Sequence, residues 1–217
     1  MTFLASYTYS KVLTDSSGFN STWINFTNHA LSKSLAQFDM RQNFVISYAY
    51  QLPFGRFHSL PNRLTQGWSI NGITRFTTGF PVYLSEPDDD RSLVGSTGVD
   101  VPDLVGRVQI QNPRLAGPQG PNQYFSASSF AAEPLGQFGS ANRAFFSGPG
   151  LNNWDFALHK ETVIRESMKL EFRAEYFNLF NHTQFMNPVG NFNSSQFGLV
   201  TSAQNPRIGQ MSLKFLF

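Results

Sequence analysis

The chain has 217 residues, 14% of them charged and 41% hydrophobic, with a formal net charge of +2 and a mean hydropathy of −0.25. Soluble domains carry about 25% charged residues; here Asn, Ser, Thr, Gln, Gly and 23 Phe stand in their place. So small a net charge gives no support to a nucleic-acid partner held by phosphate neutralisation, and none is expected; the absence of Cys excludes disulfides, thiolate metal sites and Cys-based catalysis.

No apolar run reaches the roughly 18 residues of a membrane-spanning helix. Residues 1–11 lack the basic start and apolar stretch of a secretory signal. A membrane location therefore requires strands, and the expected origin of a chain without a signal is a truncated longer parent.

The dominant period is two, the mark of a strand. In 2–11, Phe3, Ala5, Tyr7 and Tyr9 alternate with Leu4, Ser6, Thr8 and Ser10. In 43–52, Phe44, Ile46, Tyr48, Tyr50 and Leu52 share one face. In 68–78, Trp68, Ile70, Gly72, Thr74 and Phe76 alternate with Ser69, Asn71, Ile73, Arg75 and Thr77. In 152–160, Trp154, Phe156 and Leu158 stand against Asn153, Asp155, Ala157 and His159. In 168–176, Leu170, Phe172, Ala174 and Tyr176 oppose Lys169, Glu171, Arg173 and Glu175. In 209–217, Met211, Leu213, Phe215 and Phe217 alternate with Gln210, Ser212, Lys214 and Leu216.

Six strands of about ten residues, tilted near 45°, match the apolar band of about 25 Å in a transmembrane barrel. The connections alternate: 12–42, 79–150 and 178–207 are longer, 53–67 and 161–167 shorter. Outer-membrane barrels have long outer loops and short periplasmic turns. The expected fold is thus all-β, an antiparallel transmembrane β-barrel segment of about six long strands with long extracellular loops. Short elements are expected within 79–150 around Tyr124 to Ala131.

Phe44, Ile46, Tyr48, Tyr50, Trp154, Phe156, Leu170 and Phe172 are expected to face outer-membrane lipid. Phe3, Tyr7, Tyr9 and Trp68 join them as lipid-facing or interface aromatics, a carbohydrate-stacking platform being the alternative. Lys169, Glu171, Arg173 and Glu175 must point to water, because Lys or Arg facing lipid at mid-bilayer costs about 2–4 kcal/mol. They are expected to line the lumen, where they either guide a solute or hold a plug, or form salt bridges of structural value only. Met211, Leu213, Phe215 and Phe217 resemble the terminal signal read by the barrel-assembly machinery.

No catalytic, cofactor or metal site is expected, and no enzyme. His29, His58, His159 and His182 are scattered, and Asp88, Asp89 and Asp90 form an acidic loop. No GxSxG, Walker or GxGxxG motif occurs. A soluble β-sandwich binding module and a small stand-alone barrel are the rival architectures.

The stretches 38–44 (FDMRQNF), 52–56 (LPFGR), 67–72 (GWSING), 148–155 (GPGLNNWD), 172–182 (FRAEYFNLFNH) and 205–207 (NPR) resemble, in order and spacing, the late barrel strands of TonB-dependent, Oar-like receptors. Gln42 departs from a frequent His. The resemblance implies that 1–217 is the C-terminal part of a plugged barrel in the outer membrane of a Gram-negative-type bacterium. It implies a parent that imports a nutrient, of unspecified identity, through an energy-transducing TonB-type partner; the plug and earlier strands are not in these residues.

Overall fold

The computed structural model describes residues 1–16, 23–25, 27–54, 61–87, 90–95 and 99–217. Its strands, in chain order, are β1 (Thr2–Tyr9), β2 (Leu13–Thr14), β3 (Ser34–Leu35), β4 (Gln42–Gln51), β5 (Trp68–Thr77), β6 (Asp103–Leu104), β7 (Phe130–Ala131), β8 (Leu151–Arg165), β9 (Met168–Phe177) and β10 (Ile208–Leu216). The six long ones form one antiparallel sheet in the order β1-β4-β5-β8-β9-β10. The sheet is open. Among the described residues β1 pairs only with β4, and β10 only with β9.

The register carries each alternating series across the sheet on one face. One row runs Phe3, Tyr48, Gly72, Phe156, Tyr176, Gly209, and another Tyr50, Ile70, Leu158, Ala174, Met211. The opposite face carries rows such as Gln51, Ser69, His159, Arg173, Ser212. The two aromatic residues that flank glycines explain the glycines. A Cβ on Gly72 would stand 2.4 Å from the Tyr48 ring, and one on Gly209 would stand 2.9 Å from the Tyr176 ring. Each glycine therefore lets a tyrosine lie flat across the neighbouring strand.

The observed strands begin and end within two residues of the expected ones, except β8. It continues to Arg165, with a bulge between Val163 and Arg165, so the connection expected at 161–167 shrinks to Glu166 and Ser167. Glu166 takes a positive φ of 34°, as such a tight hairpin requires. The other turn at that end, 52–67, holds a short helix, α1 (Asn62–Thr65), and closes on Gly67. Gly67 has φ +81°, and a Cβ there would lie 2.1 Å from the Glu161 carbonyl oxygen.

The longer connections leave from the opposite end and do not stay apart. Leu35 N–H donates to the Ala144 carbonyl at 2.9 Å, joining 10–41 to 78–150. Ser85 N–H donates to Gly190 at 3.0 Å and Tyr124 N–H to Gly198 at 2.8 Å, joining 78–150 to 178–207. These segments form one cap, in which 78–150 and 178–207 share a core of Val82, Leu84, Tyr124, Phe125, Phe130, Ala141, Phe197 and Val200. Phe125, 0% exposed, meets Phe130, Phe146 and Phe197 edge-on at 5.0–5.7 Å. The elements expected near Tyr124 to Ala131 are a 3-10 turn (Ala127–Ser129) and β7.

The location of the core is the main architectural fact. Of the buried hydrophobic residues described, Ala174 alone lies on a long strand; the rest lie in the connections. A soluble sheet would bury one face under a second layer. This sheet packs neither face under another layer of described residues.

Candidate functional site

The polar face is built by alternation. Lys169, Glu171, Arg173 and Glu175 stand on it together, beside Glu161 and His159 of β8 and Gln210, Ser212 and Lys214 of β10. Lys169 pairs with Glu161 at 3.0 Å and Arg173 with Glu175 at 3.6 Å. Glu175 also accepts from the Gln210 side-chain amide, and Glu171 lies opposite both Glu161 and Lys214 in register. Charges of both signs thus interleave along this face.

At the cap end the same face meets 178–207 around a cavity of about 660 Å³ lined by Arg75, Asn153, Asp155, Gln184, Gln204 and their neighbours. Arg75 Nε donates to Asn43 Oδ1 at 3.1 Å. Asp155 Oδ1 accepts from Asn153 Nδ2 and from the Asn178 backbone N–H, each at 2.9 Å. A guanidinium and a carboxylate, fixed from neighbouring strands and flanked by amides, suit a polar solute with hydrogen-bonding groups of both kinds.

The apolar face holds the expected Phe44, Ile46, Tyr48, Tyr50, Trp154, Phe156, Leu170 and Phe172, and also Met211, Leu213 and Phe215. Phe217 lies just past β10, its ring 6.0 Å from that of Phe215. One charge on this face was not anticipated. Lys160 shares a row with Trp68, Phe172 and Leu213. Its ammonium donates to the Arg63 carbonyl at 3.0 Å and to the Gln66 carbonyl, and sits 5.4 Å from the Trp68 ring centre. Lys160 thus bends its head group away into the α1 turn, its stem left along the apolar face. The alternation already put it in phase with Trp154, Phe156 and Leu158, which is the signal that could have found it.

The resemblance motifs converge in space at the β8–β9 cap end. Asn178 and Asn181 adopt positive φ of 53° and 52°. The Asn178 side chain accepts from His182 N–H and donates to the His182 carbonyl, both at 2.9 Å. Asn181 Oδ1 accepts from Arg207 N–H at 2.9 Å, and Leu179 N–H donates to the Trp154 carbonyl at 2.7 Å. Asp39, from the first motif, accepts from Val12 N–H at 2.8 Å and closes the base of 10–41.

No group of three or more His, Cys, Asp or Glu side chains is placed to hold a metal among the described residues. His29 stacks on Trp23 at 4.0 Å, and Asp90 accepts from Val94 and Gly95 N–H within its own turn. His58, Asp88 and Asp89, with Gly55 and Arg56 of the second motif, lie outside the described residues.

A family model described as an outer membrane beta barrel domain matches residues 1–210. Neither a curated protein nor a solved structure matches the chain.

Proposed function

The chain belongs to the outer membrane beta barrel domain family, and from that premise we propose that it is the C-terminal wall of a TonB-dependent receptor for nutrient import in a Gram-negative-type bacterium, without enzymatic activity. The observation that carries the barrel-wall part is the sheet whose apolar face has no protein cover while the packed core sits in the connections. In a bilayer that face is covered by lipid. On this reading Phe44, Ile46, Tyr48, Tyr50, Trp154, Phe156, Leu170 and Phe172 face lipid. Lys169, Glu171, Arg173 and Glu175 face the lumen, and the Arg75–Asp155 cavity is a stretch of the solute path beneath the cap. The exposed apolar series of β10, Met211, Leu213 and Phe215 with Phe217 beyond it, stands beside an unpaired edge, a fitting substrate for the barrel-assembly machinery.

The import part rests on the ordered motifs shared with TonB-dependent, Oar-like receptors. Its test is capture of the longer parent that carries the plug, extracted from the outer membrane, by the periplasmic domain of a TonB-type partner. Capture abolished by de-energising mutations in that partner's contact segment is the expected result. A barrel that assembles in the outer membrane yet binds no such partner would leave the location and remove the import role. A small stand-alone barrel is less well supported, because 79–150 contains only the two-residue strands β6 and β7 among its described residues, and single-chain barrels need at least about eight long strands.

A further inference from the structure

We propose that a recess at the cap-side rim of the apolar face binds the phosphorylated sugar headgroup of an outer-leaflet glycolipid. A run of rings crosses that rim. Phe44 stacks on Phe76 at 6.4 Å, Phe76 meets Trp154 edge-on at 5.8 Å, Trp154 meets Phe180 edge-on at 5.5 Å, and Phe180 stacks on His182 at 5.8 Å. Beyond it lies a recess of about 380 Å³ whose lining includes Gln111, Asn112, Arg114, Asn152, His182 and Phe185. Asn152 and His182 belong to both features, since Asn152 Oδ1 accepts the Trp154 indole N–H at 2.9 Å. An aromatic surface suited to an acyl chain therefore runs without a break into a polar chamber.

The chemistry of the chamber selects the headgroup. No acidic side chain lines it, and Arg114 supplies a guanidinium. That group lies 5.5 Å from the Phe185 ring centre and donates one N–H to the Thr183 carbonyl at 3.3 Å. These contacts hold it in place and leave further donors for phosphate oxygens. The Gln111 and Asn112 amides and the His182 ring are partners of the kind that sugar hydroxyls use. Free phosphate would engage Arg114 and ignore the rings. A zwitterionic phospholipid would bring its own cation beside Arg114 and has no sugar for the amides.

This site rests on the proposed assignment of the apolar face to lipid and of the cap to the cell exterior. The test compares the wild-type barrel, extracted from the outer membrane in mild detergent, with its Arg114→Glu, Arg114→Lys and Phe180→Ala variants by native mass spectrometry. The expected result is one phosphoglycolipid retained by the wild type, at least tenfold lower retention in Arg114→Glu and Phe180→Ala, and partial retention in Arg114→Lys. Inorganic phosphate at millimolar concentration does not displace it. Equal retention in Arg114→Glu, displacement by inorganic phosphate alone, or a phospholipid in place of the glycolipid would overturn the proposal. A barrel that assembles normally and carries no glycolipid would overturn the site but leave the barrel-wall assignment standing. A chain absent from the outer membrane would overturn that assignment, and this site with it.

Discussion

Asp155 and Asn178 bind the cap to the sheet: the carboxylate of β8 accepts the backbone N–H of the residue that follows β9, at 2.9 Å. Asn178 then turns the chain through a left-handed conformation and holds His182 with its side chain. Asp155→Ala leaves that N–H without its acceptor, a loss of about 1–3 kcal/mol for a buried donor. Faster hydrogen exchange at 178–182 is expected, with Asp155→Asn intermediate because its amide oxygen still accepts. Unchanged exchange in the alanine variant would show that the cap is held elsewhere.

Gly72 is expected to tolerate no side chain. A Cβ there meets the Tyr48 ring at 2.4 Å and the Asp155 carbonyl oxygen at 2.8 Å. Gly72→Val should lower barrel stability by about 1–3 kcal/mol, the usual range for overpacking. Adding Tyr48→Ala should recover only part of the loss, because the backbone contact with Asp155 remains. Denaturation midpoints of the assembled barrel test this, and full recovery in the double variant would assign the whole constraint to Tyr48.

The two faces of β9 make opposite predictions. Phe172→Arg, near mid-strand on the apolar face, should cost about 2–4 kcal/mol in a bilayer and reduce the assembled amount. Glu171→Gln, on the polar face next to it, should change little. Membrane-fraction immunoblots with urea titration distinguish them. Equal effects would exchange the faces, as a one-residue slip in register does.

Much of this was legible in the sequence. Period-two alternation is local, so Leu170, Phe172 and Ala174 mark their strand without knowledge of any partner. The far end of β8 was not legible. Lys160 puts a charge in the apolar phase and the register shifts before Arg165, so the alternation fails there, and pairing with β9 is what extends the strand. The cap core was hidden for a different reason. Phe125, Phe130, Phe146 and Phe197 follow no period, come from two separate connections, and meet only in three dimensions. The Arg75–Asp155 cavity was half visible: both residues fell on the polar face, but its roof comes from Gln184 and Gln204, far along the chain.

Burial pushes the Tyr124 phenol from 10.0 up to about 12. The neutral phenol also donates to the Ser147 carbonyl at 2.9 Å, a bond the phenolate cannot make. The fold therefore favours the protonated form. This contribution is complete below about pH 10 and is lost as pH rises through about 12. Tyr124→Phe should lower cap stability at neutral pH by about 0.5–1.5 kcal/mol and flatten its decline above pH 10. A decline as steep as that of the wild type, followed beside the 295 nm phenolate absorbance, would assign the alkaline loss to other tyrosines.

The shared core of the cap also sets an order of events. Val82, Phe125 and Phe197 come from two connections separated by the membrane-spanning β8–β9 hairpin, and neither connection can complete that core alone. If the sheet inserts hairpin by hairpin, the cap closes only after the last of them has delivered its share to the same side. An antibody specific for the closed cap, applied to intact cells, would therefore report finished insertion rather than mere arrival at the membrane. It would also leave stalled intermediates unstained.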